Sequence, residues 1–120
     1  TDNVMQVLFI LNEAPYGTER SYNGLRLALN LAKRPDVALR LFLMADAAFC
    51  AQSGQQTPEG FYNVERMVRG LAVKGIPIGA CGTCMDARGI RDEMLLEGAH
   101  RSSMAELAEW TLWADKVVSF

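Results

Sequence analysis

The sequence holds three cysteines and one histidine, too few for a four-ligand zinc site built from two pairs. An odd cysteine count in a 120-residue chain that is half apolar does not make a disulfide scaffold. It suggests a reducing compartment with thiols kept for reactivity or packing, and the expected location is the cytoplasm. Basic excess is also missing: the formal net charge is −2, which gives no reason to expect nucleic-acid binding. No apolar run approaches the ~20 residues of a membrane span, so no membrane partner is expected. The run Val4 to Leu11 has no basic region before it and no cleavage-site pattern after it. It is expected to be a strand and not a signal peptide. Paired-glycine dinucleotide motifs and the Gly-Lys-Ser/Thr phosphate loop are missing as well. A flavin would require hydroxyls and glycines at the start of the first helix. Pro15-Tyr16-Gly17-Thr18-Glu19 offers one glycine and one threonine, with a carboxylate where phosphate would sit. The expectation is therefore no cofactor and no metal.

What the sequence does contain is an alternation of strand and helix signals. Val4 to Leu11 is a nearly continuous apolar run, as in a strand buried on both faces. Glu19 to Lys33 is helical, with Leu25, Ala28, Leu29 and Ala32 on one stripe and Leu27 and Leu31 beyond it. Val37 to Met44 is a second strand, and Asp46 is placed to cap a short helix over residues 47–51. Val64, Met67, Val68, Leu71 and Ala72 trace the apolar face of a helix within Tyr62 to Lys74, ended by Gly75. Ile76 to Ala80 is a third strand, followed by a short helix that Gly89 ends. Ser103-Met104-Ala105-Glu106 reads as a capping box for a further helix, and Lys116 to Phe120 as a strand. Residues 95–102 fit either a strand or a helical extension. The alternation predicts one domain over residues 1–120, an α/β sandwich with a mostly parallel sheet of about five strands and flavodoxin-like architecture.

Sites in such sheets form at the carboxyl ends of strands. Two loops qualify: Glu13 to Thr18 after the first strand, and Cys81 to Asp86 after the third. Tyr16, Thr18 and Glu19 are expected to border a pocket at Cys81. The second loop holds the pair Cys81-Gly82-Thr83-Cys84. Thr83 and Asp86 have capping-box spacing, which would start a helix at Cys84 and leave Cys81 just before the turn. Backbone N–H groups there would lower a thiol pKa and make a nucleophile available near neutrality. Arg88 and Arg91 would add positive potential or be solvated surface residues. Against reactivity stands the frequent burial of free cysteine as a small hydrophobe. That reading is favoured for Cys50, within Ala47-Ala48-Phe49-Cys50-Ala51. Cys81 is favoured as reactive, and Cys84 is balanced between partner thiol and packing residue. His100 is read as a surface or satisfied histidine.

Cys81-Gly82-Thr83-Cys84-Met85-Asp86-Ala87-Arg88-Gly89-Ile90 resembles the cysteine segment of the DsrE/DsrF-like family, which includes the sulfur-relay subunit TusD and a YchN-like branch. Tyr16 to Arg20, Met44 to Ala47, and the segments Glu106 to Trp110 and Ala114 to Val118 look YchN-like. The resemblance implies a three-layer sandwich and assembly as a homotrimer or homohexamer. It also implies a strand-end cysteine that carries sulfur as a persulfide, a position that falls on Cys81. Cys84 lies where the sulfur-relay subunits generally have no cysteine. The resulting expectation is sulfur handling between donor and acceptor proteins, with Cys81 as the carrier, Thr83 stabilising its thiolate and Arg88 steering an anionic donor. Two alternatives stand beside it: a Cys81/Cys84 thiol–disulfide switch, and an oligomeric module that binds a small ligand without turnover.

Overall fold

Long apolar runs become the inner strands of one parallel sheet. The structure, a computed structural model, describes residues 3–120. Its strands are β1 (Met5–Leu11), β2 (Val37–Leu43), β3 (Ile78–Cys81), β4 (Ala99–Ser102) and β5 (Lys116–Ser119), in the spatial order β4-β3-β2-β1-β5. Every neighbouring pair is parallel. The helices are α1 (Arg20–Leu31), α2 (Val64–Ala72), α3 (Gly82–Ala87) and α4 (Met104–Trp113), with 3-10 turns at Ala45–Ala51 and Asp92–Met94.

The order explains the layers. From β1 to β3 the chain steps in one direction, and right-handed crossovers place both connecting helices on one face. Leu25 and Ala28 of α1 and Val64, Val68 and Leu71 of α2 accordingly pack with Val7, Phe9, Leu11, Leu39, Leu41, Leu43, Ile78 and Ala80. After β4 the chain reverses to the far side of β1, which sends α4 to the other face. There Leu107 and Trp110 pack with Leu8, Phe42 and Cys81. Strand alternation assigns the faces: Ile78 and Ala80 look towards α1 and α2, and Cys81 looks towards α4.

The crevice where the strand order reverses, between β1 and β5, is filled from within. Phe120 stacks on Phe9 with ring centres 6.5 Å apart, and Asn12 Nδ2 donates to Ser119 Oγ and to the Phe120 carbonyl. Gly24 permits this closure. A Cβ there would stand 2.6 Å from Leu11 Cδ2 and 3.0 Å from the Phe120 ring.

Several boundaries differ from the sequence reading. Ala45–Ala51 is a 3-10 helix whose N-cap is Met44, and Asp46 pairs with Arg88 instead of capping it. α2 starts at Val64 and not at Tyr62, and Asn63 caps it by accepting from the Arg66 N–H. Gly75 (φ 79°) and Gly89 (φ 70°) do adopt the left-handed backbone expected where helices end. Ser103 caps α4 by accepting from the Glu106 N–H. The Glu106 carboxylate does not return to Ser103 and binds Ser102 and His100 instead, so the box is half formed.

Candidate functional site

Cys81 ends β3 and at the same time caps α3. The expected cap was Thr83. Instead the Cys81 Sγ accepts the Cys84 N–H at 3.3 Å, so the helix starts two residues earlier than Cys84, at Gly82. Thr83 Oγ1 lies 3.4 Å from the same sulfur. Burial works against ionisation of Cys81. Hydrogen bonds from Cys84 and Thr83, through side chain and backbone, outweigh it and hold the thiol below its ordinary value.

A cavity of about 310 Å³ opens on this sulfur, lined by Phe42, Cys81, Thr83, Arg101, Ser102 and Met104 among others. Its far wall comes from β4. Parallel pairing sets Ser102 directly beside Cys81, and Gly79 beside His100. Gly79 leaves the room for this wall: a Cβ there would meet Ser102 Cβ at 2.9 Å and a Trp110 ring carbon at 3.3 Å. Ser102 Oγ donates to Glu106 Oε1 at 2.5 Å, and His100 Nε2 is 2.5 Å from the same oxygen. Burial opposes ionisation of Glu106, but these two partners hold its carboxyl below the usual range. Arg101 contacts Asp92, Asp86 and the Gly82 carbonyl, which offsets its charge at the cavity rim.

Cys84 is not among the cavity-lining residues. Its sulfur accepts the Ala45 N–H at 3.2 Å and lies 4.0 Å from Met44 Sδ. Burial pushes the Cys84 thiol up, and its hydrogen bond to Cys81 and the charge there add to the rise. Arg88 stands on this second sulfur's side: it donates to the Cys84 carbonyl at 3.1 Å and to Asp46 at 2.7 Å. Cys50 is wholly buried among core residues, and burial pushes its thiol up to about 12.

Thr83 is thus beside Cys81, while Arg88 belongs with Cys84. Tyr16, Thr18 and Glu19 lie at the same carboxyl edge of the sheet, but β2 separates their loop from β3 and none of them lines the cavity. Tyr16 donates to Gln55 Oε1 at 2.6 Å and accepts the Val64 N–H at 3.0 Å, which ties the loop before α1 to the start of α2. Thr18 and Glu19 are exposed. Sequence reasoning missed Arg101, Ser102 and Glu106. Their signal was the Ser102-Ser103 junction between a strand and a capped helix, which parallel register carries to Cys81. A larger cavity of about 440 Å³ at the amino end of β2 and β3, lined by Arg40, Lys74 and Trp113 among others, contains no cysteine. Among the described residues, no group of three or more His, Cys, Asp or Glu is placed to hold a metal ion. No helix there is long and apolar enough to cross a membrane.

The same arrangement of strands and helices occurs in known proteins. The crystal structure of the ychN protein from E. coli superposes with a TM-score of 0.92 at 42% identity, covering 98% of this chain and all of that one. Protein YchN of Escherichia coli strain K12 aligns over 118 residues, 98% of this chain and the relative's full length. The protein MJ0989 of Methanocaldococcus jannaschii is 34% identical over 116 residues, 97% of this chain and again the full relative. At 18% identity, MTH1491 from Methanobacterium thermoautotrophicum shares the fold, with a TM-score of 0.75 and 97% of this chain covered. The sequence pattern of the DsrE/DsrF-like family matches residues 5–120, and the chain belongs to that family.

Proposed function

We propose that this protein handles sulfane sulfur, with Cys81 as the atom that carries it. The observation that supports this most is the paired hydrogen bonding of Cys81 Sγ by the Cys84 N–H and Thr83, at the floor of a cavity open to a donor. Such bonds favour the thiolate, which is the nucleophile. The Cys81 thiolate attacks the outer sulfur of a donor hydropersulfide. The new bond joins Cys81 Sγ to that sulfur, the donor's S–S bond breaks, and the donor leaves as a thiolate. An acceptor thiol takes the sulfur by the same exchange in reverse. Protein treated with a small hydropersulfide and analysed by mass spectrometry should gain about 32 Da, one sulfur, on Cys81. A Cys81→Ala variant should gain none. An adduct confined to Cys50 or Cys84 would refute the assignment.

A homo-oligomer, trimeric or hexameric, is part of the same reading. The α4 face leaves Met104 65%, Leu112 89% and Val117 48% exposed, more apolar surface than one short helix hides. Light scattering at micromolar concentration should give a multiple of the monomer mass. A monomer would refute assembly, and a dimer would refute the stoichiometry.

A further inference from the structure

Two thiols with different surroundings sit three residues apart, and the proposed carrier role uses only one of them. Cys81 faces the cavity. Cys84 is outside the cavity lining, half-buried, with its own backbone donor. That donor is distinctive: Ala45 is the only non-glycine residue among those described with a left-handed backbone, at φ 53°. An L-residue adopts this conformation at a steric cost, and here it accompanies an N–H aimed at the Cys84 sulfur. Cys84 is also tied to Cys81 directly, since its backbone N–H donates to the Cys81 sulfur. As the cap, the Cys81 side chain already reaches over the first turn to Cys84, which suits closure of an S–S bond.

We infer, resting on the persulfide reading above, that Cys84 resolves a persulfide formed on Cys81, so that the site discharges sulfane sulfur as hydrosulfide. Cys84 Sγ attacks Cys81 Sγ. The Cys84 Sγ–Cys81 Sγ bond forms, the bond from Cys81 Sγ to the outer sulfur breaks, and its electron pair leaves with hydrosulfide. The Cys84 thiol proton passes to water. The outer sulfur gains two electrons, and the two cysteines lose two in becoming a disulfide. An external dithiol then restores both thiols by exchange and is itself oxidised to a disulfide.

The placement sets the order of events. A donor entering the cavity meets Cys81 first, while Cys84 is kept back from the opening. Burial and the neighbouring Cys81 push the Cys84 thiol up, which keeps it from competing for the donor, while the Ala45 N–H and Arg88 offset part of that rise for the attack that follows. Proximity supplies the rest, because an intramolecular thiol acts at a high effective concentration.

The test uses glutathione hydropersulfide as the probe on wild type, Cys84→Ser and Cys84→Ala. After removal of excess probe, intact mass and released hydrosulfide are followed without added reductant. The wild type should release about one hydrosulfide per loaded chain and end about 2 Da lighter than the dithiol, with the loss mapped to Cys81 and Cys84. Both variants should hold the added sulfur at least about tenfold longer. Loaded variants whose adduct decays as fast as the wild type's would overturn the resolving role and leave the carrier role standing. Variants that remain folded by circular dichroism but never take up sulfur would overturn the carrier reading, and this inference with it.

Discussion

Alkylation near pH 7 is expected to label Cys81 first and Cys50 last, with rates at least about a thousandfold apart. The reacting species is the thiolate. With its thiol pushed up to about 12, Cys50 exists as thiolate in only ~1 in 10⁵ molecules at neutral pH, against a few per cent for an ordinary thiol. Cys50 is also 0% exposed, so reagent reaches it only through opening of the core. Cys81 is 7% exposed as a residue but borders an open cavity, and its thiol is held below the ordinary value. Cys84 should fall between them, because burial and its neighbour raise it. The pH profile carries the sign. A lowered pKa moves the rise of the Cys81 rate to lower pH than that of a free thiol, and a raised one moves Cys84 to higher pH. Rates followed at each cysteine of the wild-type protein by peptide mapping, across neutral and alkaline pH, decide the matter. A Cys81 profile rising at higher pH than that of Cys84 would reverse the assigned roles.

The second large effect concerns stability. Trp110→Ala should cost about 3–5 kcal/mol, the range for removing a buried large aromatic. Trp110 is 5% exposed and supports the α4 face. Its ring stands edge-on to Phe42 with centres 6.2 Å apart and to His100 at 6.0 Å, with the Arg40 guanidinium 5.7 Å from its centre. One short helix covers this side of the sheet, so few neighbours are available to refill the space. Against a typical total of about 5–15 kcal/mol, the loss would remove a large share of stability. Urea unfolding followed by far-ultraviolet circular dichroism measures it. A loss below about 1 kcal/mol would mean that the ring is not packed in this way. Phe42 leans on the ring and also lines the cavity, so the variant should loosen the wall opposite Ser102 as well.

The parts of the fold that were legible in the sequence are those where burial repeats a pattern. Val4 to Leu11 and Val37 to Met44 are nearly continuous apolar runs, broken only by Gln6 and Arg40, because β1 and β2 lie inside the sheet, covered on both faces. The spacing of Val64, Val68 and Leu71 marks α2 for the same reason. β4 was not legible. Ala99-His100-Arg101-Ser102 lies at a sheet edge, where His100 and Arg101 are exposed and no apolar run is required. Losing β4 also hid half of the cavity, since Ser102 and Arg101 arrive only through its pairing with β3. The cap of α3 misled for a different reason. Thr83 and Asp86 have the right spacing, but a thiol can also accept a first-turn N–H, and the Cys81 sulfur takes that of Cys84, which moves the cap two residues earlier. The placement of Tyr16 depended on strand order, which local sequence does not carry. With β2 between them, the loops after β1 and β3 share an edge without sharing a pocket.

The pairing of β1 with β5 has a consequence for how the chain is made. Gln6 and Asp115, 109 residues apart, exchange two hydrogen bonds across this pair, the Asp115 N–H to the Gln6 carbonyl at 2.7 Å and the Gln6 N–H to Asp115 Oδ2 at 2.9 Å. During synthesis, β1 to β3 can meet through the short crossovers of α1 and α2, but the outer edge of β1 waits for a segment still inside the ribosome. At about 5–20 residues per second, the wait lasts several seconds. Throughout it, an apolar central strand presents unpaired N–H and C=O groups to whatever is nearby, including the β1 of a neighbouring nascent chain. Slowed translation of residues 100–120 should therefore lower the yield of native protein more than the same delay within α1, before β1 and β2 have paired into a sheet edge.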